Sequence, residues 1–254
     1  MSRTMRFASR VAAGLVAILH GPALHAQAAP QDSSAWSRVS VAVRYGVLTP
    51  SGNSEVYSLI DRALDPGAST LSPRLTGIDL SVRITPRWSI RLGAESGERT
   101  MGSVSRVSPA TTTSAVAQQT ALQVASAQSL GVEWRAARWT RSGGAGLDRA
   151  RVILGAGVGT ARYRFHQWGA FVDAERLVAY RDDFYSTGRG TFEYLSAGLD
   201  VPIRRWVALQ GTVHQQFGSA PMSDDFATFD HIDLGGTNVS VGVRFSPAGL
   251  FGRR

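Results

Sequence analysis

Residues 78–85 read Ile-Asp-Leu-Ser-Val-Arg-Ile-Thr, with an apolar side chain at every second position. That is the period of a strand with two unlike faces, and it excludes a helix over this stretch. Beyond Pro86-Arg87 the alternation resumes, with Trp88, Ile90, Leu92 and Ala94 on one face and Ser89, Arg91, Gly93 and Glu95 on the other. The two runs predict a hairpin joined by a tight turn. The same period marks 36–49 through Val39, Val41, Val43, Tyr45 and Val47, and 238–245 through Val239, Val241, Val243 and Phe245.

Further alternating segments bring the expected strands to eight, at about 36–49, 73–85, 88–100, 119–137, 151–166, 190–202, 206–218 and 234–245. In the fourth, Leu122, Val124, Leu130, Val132 and Trp134 share one face, with a polar middle at Ser126 and Gln128; the fifth is apolar on both faces for its first half. The connections alternate in length. Those at 85–87 and 202–205 are short and 138–150 is a Gly-rich turn of medium length, whereas 50–72, 100–118, 167–189 and 219–233 are long. Short turns at one end and long loops at the other are the layout of a membrane barrel. Trp36, Trp88, Trp134, Trp139 and Trp206, five of the six tryptophans, fall at strand ends beside the shorter connections, as an interfacial belt requires. A soluble up-and-down barrel has the same alternation, but its wet face needs more charge than this Gly-, Ser- and Ala-rich one carries.

The N-terminus separates from this pattern. Arg3, Arg6 and Arg10 precede the apolar run Val11 to Leu19, then Gly21-Pro22 and a small-residue stretch ending Ala26-Gln27-Ala28. Residues 1–28 are expected to be a cleaved secretory signal peptide, leaving 29–254 as one barrel domain. There is no cysteine, so disulfides and thiolate metal sites are excluded. Of the 27 cations, all arginine, 24 lie beyond the signal against 19 carboxylates. They are spread along the alternating segments instead of clustering, which points to lipid headgroups and interior carboxylates as partners and away from nucleic acid.

The last strand, Val239-x-Val241-x-Val243-x-Phe245, is similar to the C-terminal signal read by the barrel-assembly machinery, and residues 36–245 resemble the small outer-membrane β-barrel superfamily that includes the membrane domains of OmpA, OmpX and OmpW. In that family the terminal aromatic usually ends the chain or precedes another domain; here a short tail, 246–254, follows, too short for a peptidoglycan-binding domain. The resemblance implies an all-β, eight-stranded antiparallel up-and-down transmembrane β-barrel in the outer membrane of a Gram-negative cell envelope, in contact with outer-membrane lipids and lipopolysaccharide.

On the inward face the alternation places Arg44, Asp79, Arg83, Arg91, Glu95, Glu133, Arg135, Asp200 and Arg244. An eight-stranded barrel is only wide enough for its own side chains, so these charges are expected to pair as a plug. Gly155, Gly157 and Gly159 mimic a nucleotide-binding loop, but the strand period continues through Arg162-Tyr163-Arg164-Phe165. His214 is placed inward with Gln210 and Gln216, near Ser219, without a motif that sets a serine beside a base. Asp224, Asp225, Asp230, His231 and Asp233 share one loop without calcium-loop spacing and read as solvated carboxylates. The expectation is a monomeric, non-enzymatic barrel without cofactor or metal, structural or surface-interacting. The alternatives are a small-solute or hydrophobic-compound channel of the OmpW kind, marked by a continuous apolar lumen, and a lipid A-modifying enzyme, marked by a catalytic pair facing lipid.

Overall fold

Eight strands close on themselves. In the computed structural model, which describes residues 38–107, 116–138, 150–173, 175–204 and 206–246, the ring consists of β1 (Val39–Pro50), β3 (Arg74–Arg83), β4 (Trp88–Ser105), β5 (Ala117–Arg138), β6 (Arg151–Asp173), β7 (Val178–Arg204), β8 (Val207–Pro221) and β10 (Gly236–Phe245). Every neighbouring pair is antiparallel, and β10 closes the ring by pairing with both β1 (Val43 opposite Val243) and β8 (Val213 opposite Val239). Residues 1–37, which include the expected signal segment and Trp36, as well as Trp139, most of the turn at 138–150 and the tail from 247, lie outside the described residues.

Closure gives every strand of the ring a partner on both sides, and the side-chain faces then divide by polarity. Outward, Val43 is 49% exposed, Leu130 52% and Val241 64%, while inward Arg44 is 5%, Asp79 2% and Arg244 2% exposed. Apolar rows on the outside and charges on the inside are stable only where the exterior solvent is hydrocarbon. Trp88 and Trp134 sit opposite each other at one end with ring centroids 6.3 Å apart, and Trp206 stacks on Phe245 at 6.4 Å.

The strands run further than the alternation indicates on the long-loop side. Where 167–189 reads as a loop, β6 and β7 continue as a paired hairpin to Asp173 and Val178. Above the membrane both faces of a ribbon meet water or protein, so the two-residue period fades even though the ladder persists. Phe171 packs edge-on against Phe184 at 5.0 Å, which supports the extension. In β5 the expected single apolar face is split: Leu122 and Val124 are buried inward, whereas Leu130 and Val132 face outward at 52% and 45% exposure. The cause is a β-bulge between Val124 and Ser126, at the polar middle of the strand, which shifts the alternation by one residue.

The long connections hold structure of their own. After β1 the chain forms a helix, α1 (Glu55–Ala63), the two-residue β2 (Leu64–Asp65), which pairs with β4, and a 3-10 turn at Ala68–Thr70. After β8 come a 3-10 turn at Asp224–Phe226 and the short β9 (His231–Asp233), which pairs back on β8.

Candidate functional site: the filled lumen

Seven of the nine inward charges meet in one chain of contacts. Asp200 accepts from Arg244 at 3.0 Å; Arg244 reaches Glu133 at 3.5 Å; Glu133 lies 3.9 Å from Arg91; Arg91 donates to Asp79 at 3.0 Å. Asp79 also accepts from Arg44 Nη2 at 3.1 Å and pairs with its Nε, and Arg44 reaches Glu95 at 3.4 Å. These groups come from β1, β3, β4, β5, β7 and β10, so the chain crosses the lumen and does not follow its wall. Two carboxylates are shared between buried guanidinium groups, Glu133 loosely at 3.5 and 3.9 Å and Asp79 closely, within 3.1 Å of both Arg44 and Arg91, so Asp79 is the hinge of the arrangement. Arg83 and Arg135 are half-buried nearer the turn end; Arg135 lies within electrostatic range of Glu133 and Asp200 as well as of Arg83 and Arg244.

The next layer is aromatic and polar. His214 is buried inward as expected, stacked on Tyr194 at 5.5 Å, with its Nε2 3.5 Å from Arg91 Nη1. Arg91 also lies over the Tyr194 ring, 5.9 Å from its centroid. Ser219 is exposed and outward, five positions along β8 from a histidine that points inward, so the two do not form a pair. The glycines of β6 explain how two rings fit in a narrow barrel. A Cβ on Gly157 would lie 2.7 Å from Tyr194 Cε1, and one on Gly159 2.4 Å from Phe192 Cζ. Their lack of side chains makes the trough in which Phe192 and Tyr194 lie.

Toward the loop end the interior turns apolar. Leu48, Leu75, Met101, Leu122, Val124, Tyr163 and Phe165 form one cluster with Val56, Tyr57 and Ile60 of α1 and with Met222, Phe226, Ile232 and Leu234 of the last connection. The helix buries Val56 and Ile60, one turn apart, with Tyr57 between them in angle, and these three residues pack into the loop-end cluster. Between this cluster and the charge chain lies a residual cavity of about 10 Å3, bordered by Arg44, Glu95, Phe192, Tyr194, His214 and Gln216, about the room of one water molecule.

The cap is fastened by Asp233. Its carboxylate accepts from Asn53 N at 3.2 Å, from Gly235 N at 2.7 Å and from the Ser51 hydroxyl, and its carbonyl accepts from Tyr57 Oη at 3.3 Å. Burial, reinforced by the Asp233 charge, pushes the Tyr57 hydroxyl above its ordinary range. Asp233 is thus 8% exposed, and the expectation of a solvated loop carboxylate is corrected for it: three donors replace its water. Of the other loop acids, Asp225 accepts from Tyr185 N at 2.9 Å and Asp224 from Ser223 Oγ at 2.7 Å. Among the described residues no group of three or more metal-ligating side chains converges.

Most of the ion chain was readable from the alternation; the apolar cap was not. Its traces were the Val56/Ile60 spacing and the pairs Tyr163-x-Phe165 and Phe192-x-Tyr194, all of them short.

No protein-family model and no curated relative matches the chain. Solved structures similar to it include the N-terminal β-barrel domain of Pseudomonas aeruginosa OprF, at 12% identity over 83% of this chain and 98% of that one, with a TM-score of 0.36. Neisserial surface protein A is similar at 10% identity over 82% and 96%, with a TM-score of 0.43, and Pseudomonas aeruginosa OprG at 11% over 83% and 96%, with a TM-score of 0.44. The assignment as a membrane-spanning β-barrel rests on the chain itself, on its closed eight-stranded ring with apolar rows outward and charges inward. In this barrel the terminal strand sits as the last stave, with Val239 and Val241 exposed outward and Phe245 on Trp206.

Proposed function

We propose that this protein is a non-conducting outer-membrane barrel, exported by its N-terminal signal and inserted by the barrel-assembly machinery, whose rigid wall displays the capped mouth and the β6–β7 hairpin at the cell surface for a structural or surface-interaction role. The supporting observation is the way the interior is filled: a cross-lumen ion chain, an aromatic layer and an apolar cap lie in series, with a residual cavity of about 10 Å3 between them. A hydrated ion needs a continuous polar path, and each layer interrupts it differently. The charges are paired, the rings occupy the glycine trough, and the cap is dry.

In this reading the protein acts as a monomer without cofactor. The β6–β7 hairpin is the natural contact element, because aromatic pairs stiffen it: within it Phe171 lies on Tyr180 at 5.9 Å, and Phe184 packs on Phe226 of the last connection at 6.4 Å. The test is planar-bilayer recording on the purified, refolded protein, alongside electrophoresis with and without boiling. A mobility shift on heating with conductance at the leak level is the expected result. Steady conductance well above leak removes the plug and favours a channel; no heat shift removes the barrel.

A further inference from the structure

Outward from the filled lumen, the β6–β7 wall carries a charge arrangement that folding alone does not account for. Arg162 and Arg189 face each other directly across the ladder, and Arg164 stands two residues further up β6. All three side chains are exposed and outward, flanked in sequence by buried or half-buried neighbours such as Ala161, Tyr163 and Gly190. Like charges directly opposite in a sheet repel, and usually a nearby carboxylate relieves them. None does so here. Among the described residues no carboxylate lies within 4.0 Å of any of the three guanidinium groups, and the protein contact recorded for Arg189 is the Thr160 hydroxyl at 3.4 Å.

The height of the cluster on the wall identifies what relieves it. Below it on the same outward face come the Thr160/Thr191 rung and then the apolar band, with Leu154, Val158 and Leu199 at 39%, 56% and 51% exposure. On this face Glu193, opposite Val158, lies two rungs down, about 13 Å along the strand, and the Asp183 carboxylate above is taken by His166. Above the cluster come His166 opposite Tyr185, then Trp168 opposite Asp183, with His166 held by the Asp183 carboxylate and stacked on Trp168 at 4.4 Å. Glu193 apart, the face reads from bottom to top apolar, hydroxyl, guanidinium, then aromatic and polar. A phosphorylated glycolipid standing in the adjacent leaflet has the same order: acyl chains, glycosidic backbone with its phosphates, then outer saccharide.

We infer that Arg162, Arg164 and Arg189 form a site on the lipid-facing wall for the phosphates of such a glycolipid, lipid A being the species the order of groups fits, with Thr160 supplying a hydroxyl and the His166/Tyr185 rung meeting sugar. Guanidinium groups suit this task because each presents a fixed fork of donors to phosphate oxygens. The inference rests on the outer-membrane reading above, with the capped mouth facing outward. It adds a bound lipid of defined chemistry at a defined stave of the barrel.

The test is native mass spectrometry of the full refolded protein released from phosphatidylcholine nanodiscs doped in separate arms with bisphosphorylated lipid A, dephosphorylated lipid A or phosphatidylglycerol. Wild type is expected to retain bisphosphorylated lipid A over the other two. The Arg162→Gln/Arg164→Gln/Arg189→Gln variant is expected to lose about fivefold in affinity per arginine, roughly a hundredfold in all. An Arg74→Gln/Arg181→Gln control, which removes exposed arginines elsewhere, is expected to bind as wild type. Equal retention of dephosphorylated lipid A, equal binding by the triple variant, or full displacement by millimolar inorganic phosphate overturns the site. The heat-induced mobility shift is read on every sample. If it is present while lipid selectivity is absent, this inference fails and the barrel stands; if wild type shows no shift, the barrel reading fails first.

Discussion

Replacing Asp79 by alanine removes the carboxylate that Arg44 and Arg91 share at the shortest distances of the ion chain. Arg44 and Arg91, 5% and 3% exposed, keep weaker contacts: Arg44 to Glu95 at 3.4 Å, and Arg91 to Glu133 at 3.9 Å, to His214 Nε2 at 3.5 Å and to the face of Tyr194. Water cannot reach them in number, because the residual cavity beside them measures about 10 Å3. Breaking a buried pair from one side in this way costs about 3–5 kcal/mol, much of it the stranding of charge instead of the loss of attraction. Glu95→Gln is the internal control. Glu95 is 11% exposed and makes one contact, so its loss is expected to cost only about 1 kcal/mol. If stranding is the dominant cost, Arg44→Met, Asp79→Leu, Arg91→Met and Glu95→Gln combined recover most of the stability that Asp79→Ala loses. The assay is urea unfolding of the barrel in phosphatidylcholine vesicles, followed by the fluorescence of the belt tryptophans. Asp79→Ala and Glu95→Gln with the same midpoint, or a combined variant weaker than Asp79→Ala alone, refutes the account of the ion chain as a mutually dependent unit.

Three further expectations follow from the other layers. Gly157→Ala brings a methyl 2.4 Å from the Leu130 carbonyl and 2.7 Å from Tyr194, so it is expected to lower the urea midpoint by about 1–3 kcal/mol equivalent, while Gly102→Ala and Gly211→Ala, which meet nothing within 4 Å, stay within about 0.5 kcal/mol. Asp233→Ala frees Ser51, Asn53 and Gly235 together; limited proteolysis is expected to cut near α1 while the heat-induced shift of the barrel is unchanged. Tyr57 has a raised hydroxyl pKa when folded, so its neutral form belongs to the folded cap: its contribution is complete below the ordinary value near 10 and is lost as pH rises above it. Protease sensitivity of the cap is therefore expected to climb above pH ~10 in wild type and to stay flat in Tyr57→Phe, whose lost hydrogen bond to Asp233 costs about 1 kcal/mol at every pH.

The parts of this molecule legible in its sequence are those where one physical rule acts alone. Through the acyl region each strand has lipid on one side and a narrow lumen on the other, so Ile78-Asp79-Leu80-Ser81-Val82 can be read directly as out, in, out, in, out. The same rule places Arg44, Asp79, Arg91, Glu133, Asp200 and Arg244 on the inward face, where they lie in contact. It could not say which carboxylate serves which arginine. That depends on register across six strands: Asp79 sits opposite Ala42 on β1 and Gly93 on β4, which places it between Arg44 and Arg91.

Where a second rule enters, the reading fails in an intelligible way. A bulge moved Leu122 and Val124 from the expected outer face into the lumen, because one unpaired residue outweighs a pattern that cannot count it. Above the headgroups the exterior is water, the period dissolves, and β6 and β7 are held by cross-strand rings such as Phe171 and Phe184 that no alternation announces. The cap is the deepest instance. Val56, Tyr57 and Ile60 follow the logic of a soluble core, burying grease against Phe226 and Ile232, inside a molecule whose staves follow the opposite logic. The barrel's interior therefore changes solvent along its axis, from paired charge to dry hydrocarbon, and the boundary falls at Tyr194. That ring has Arg91 over its face, His214 stacked beside it and the glycine trough of β6 beneath it, and a single residue there joins the membrane part of the fold to the soluble part above it.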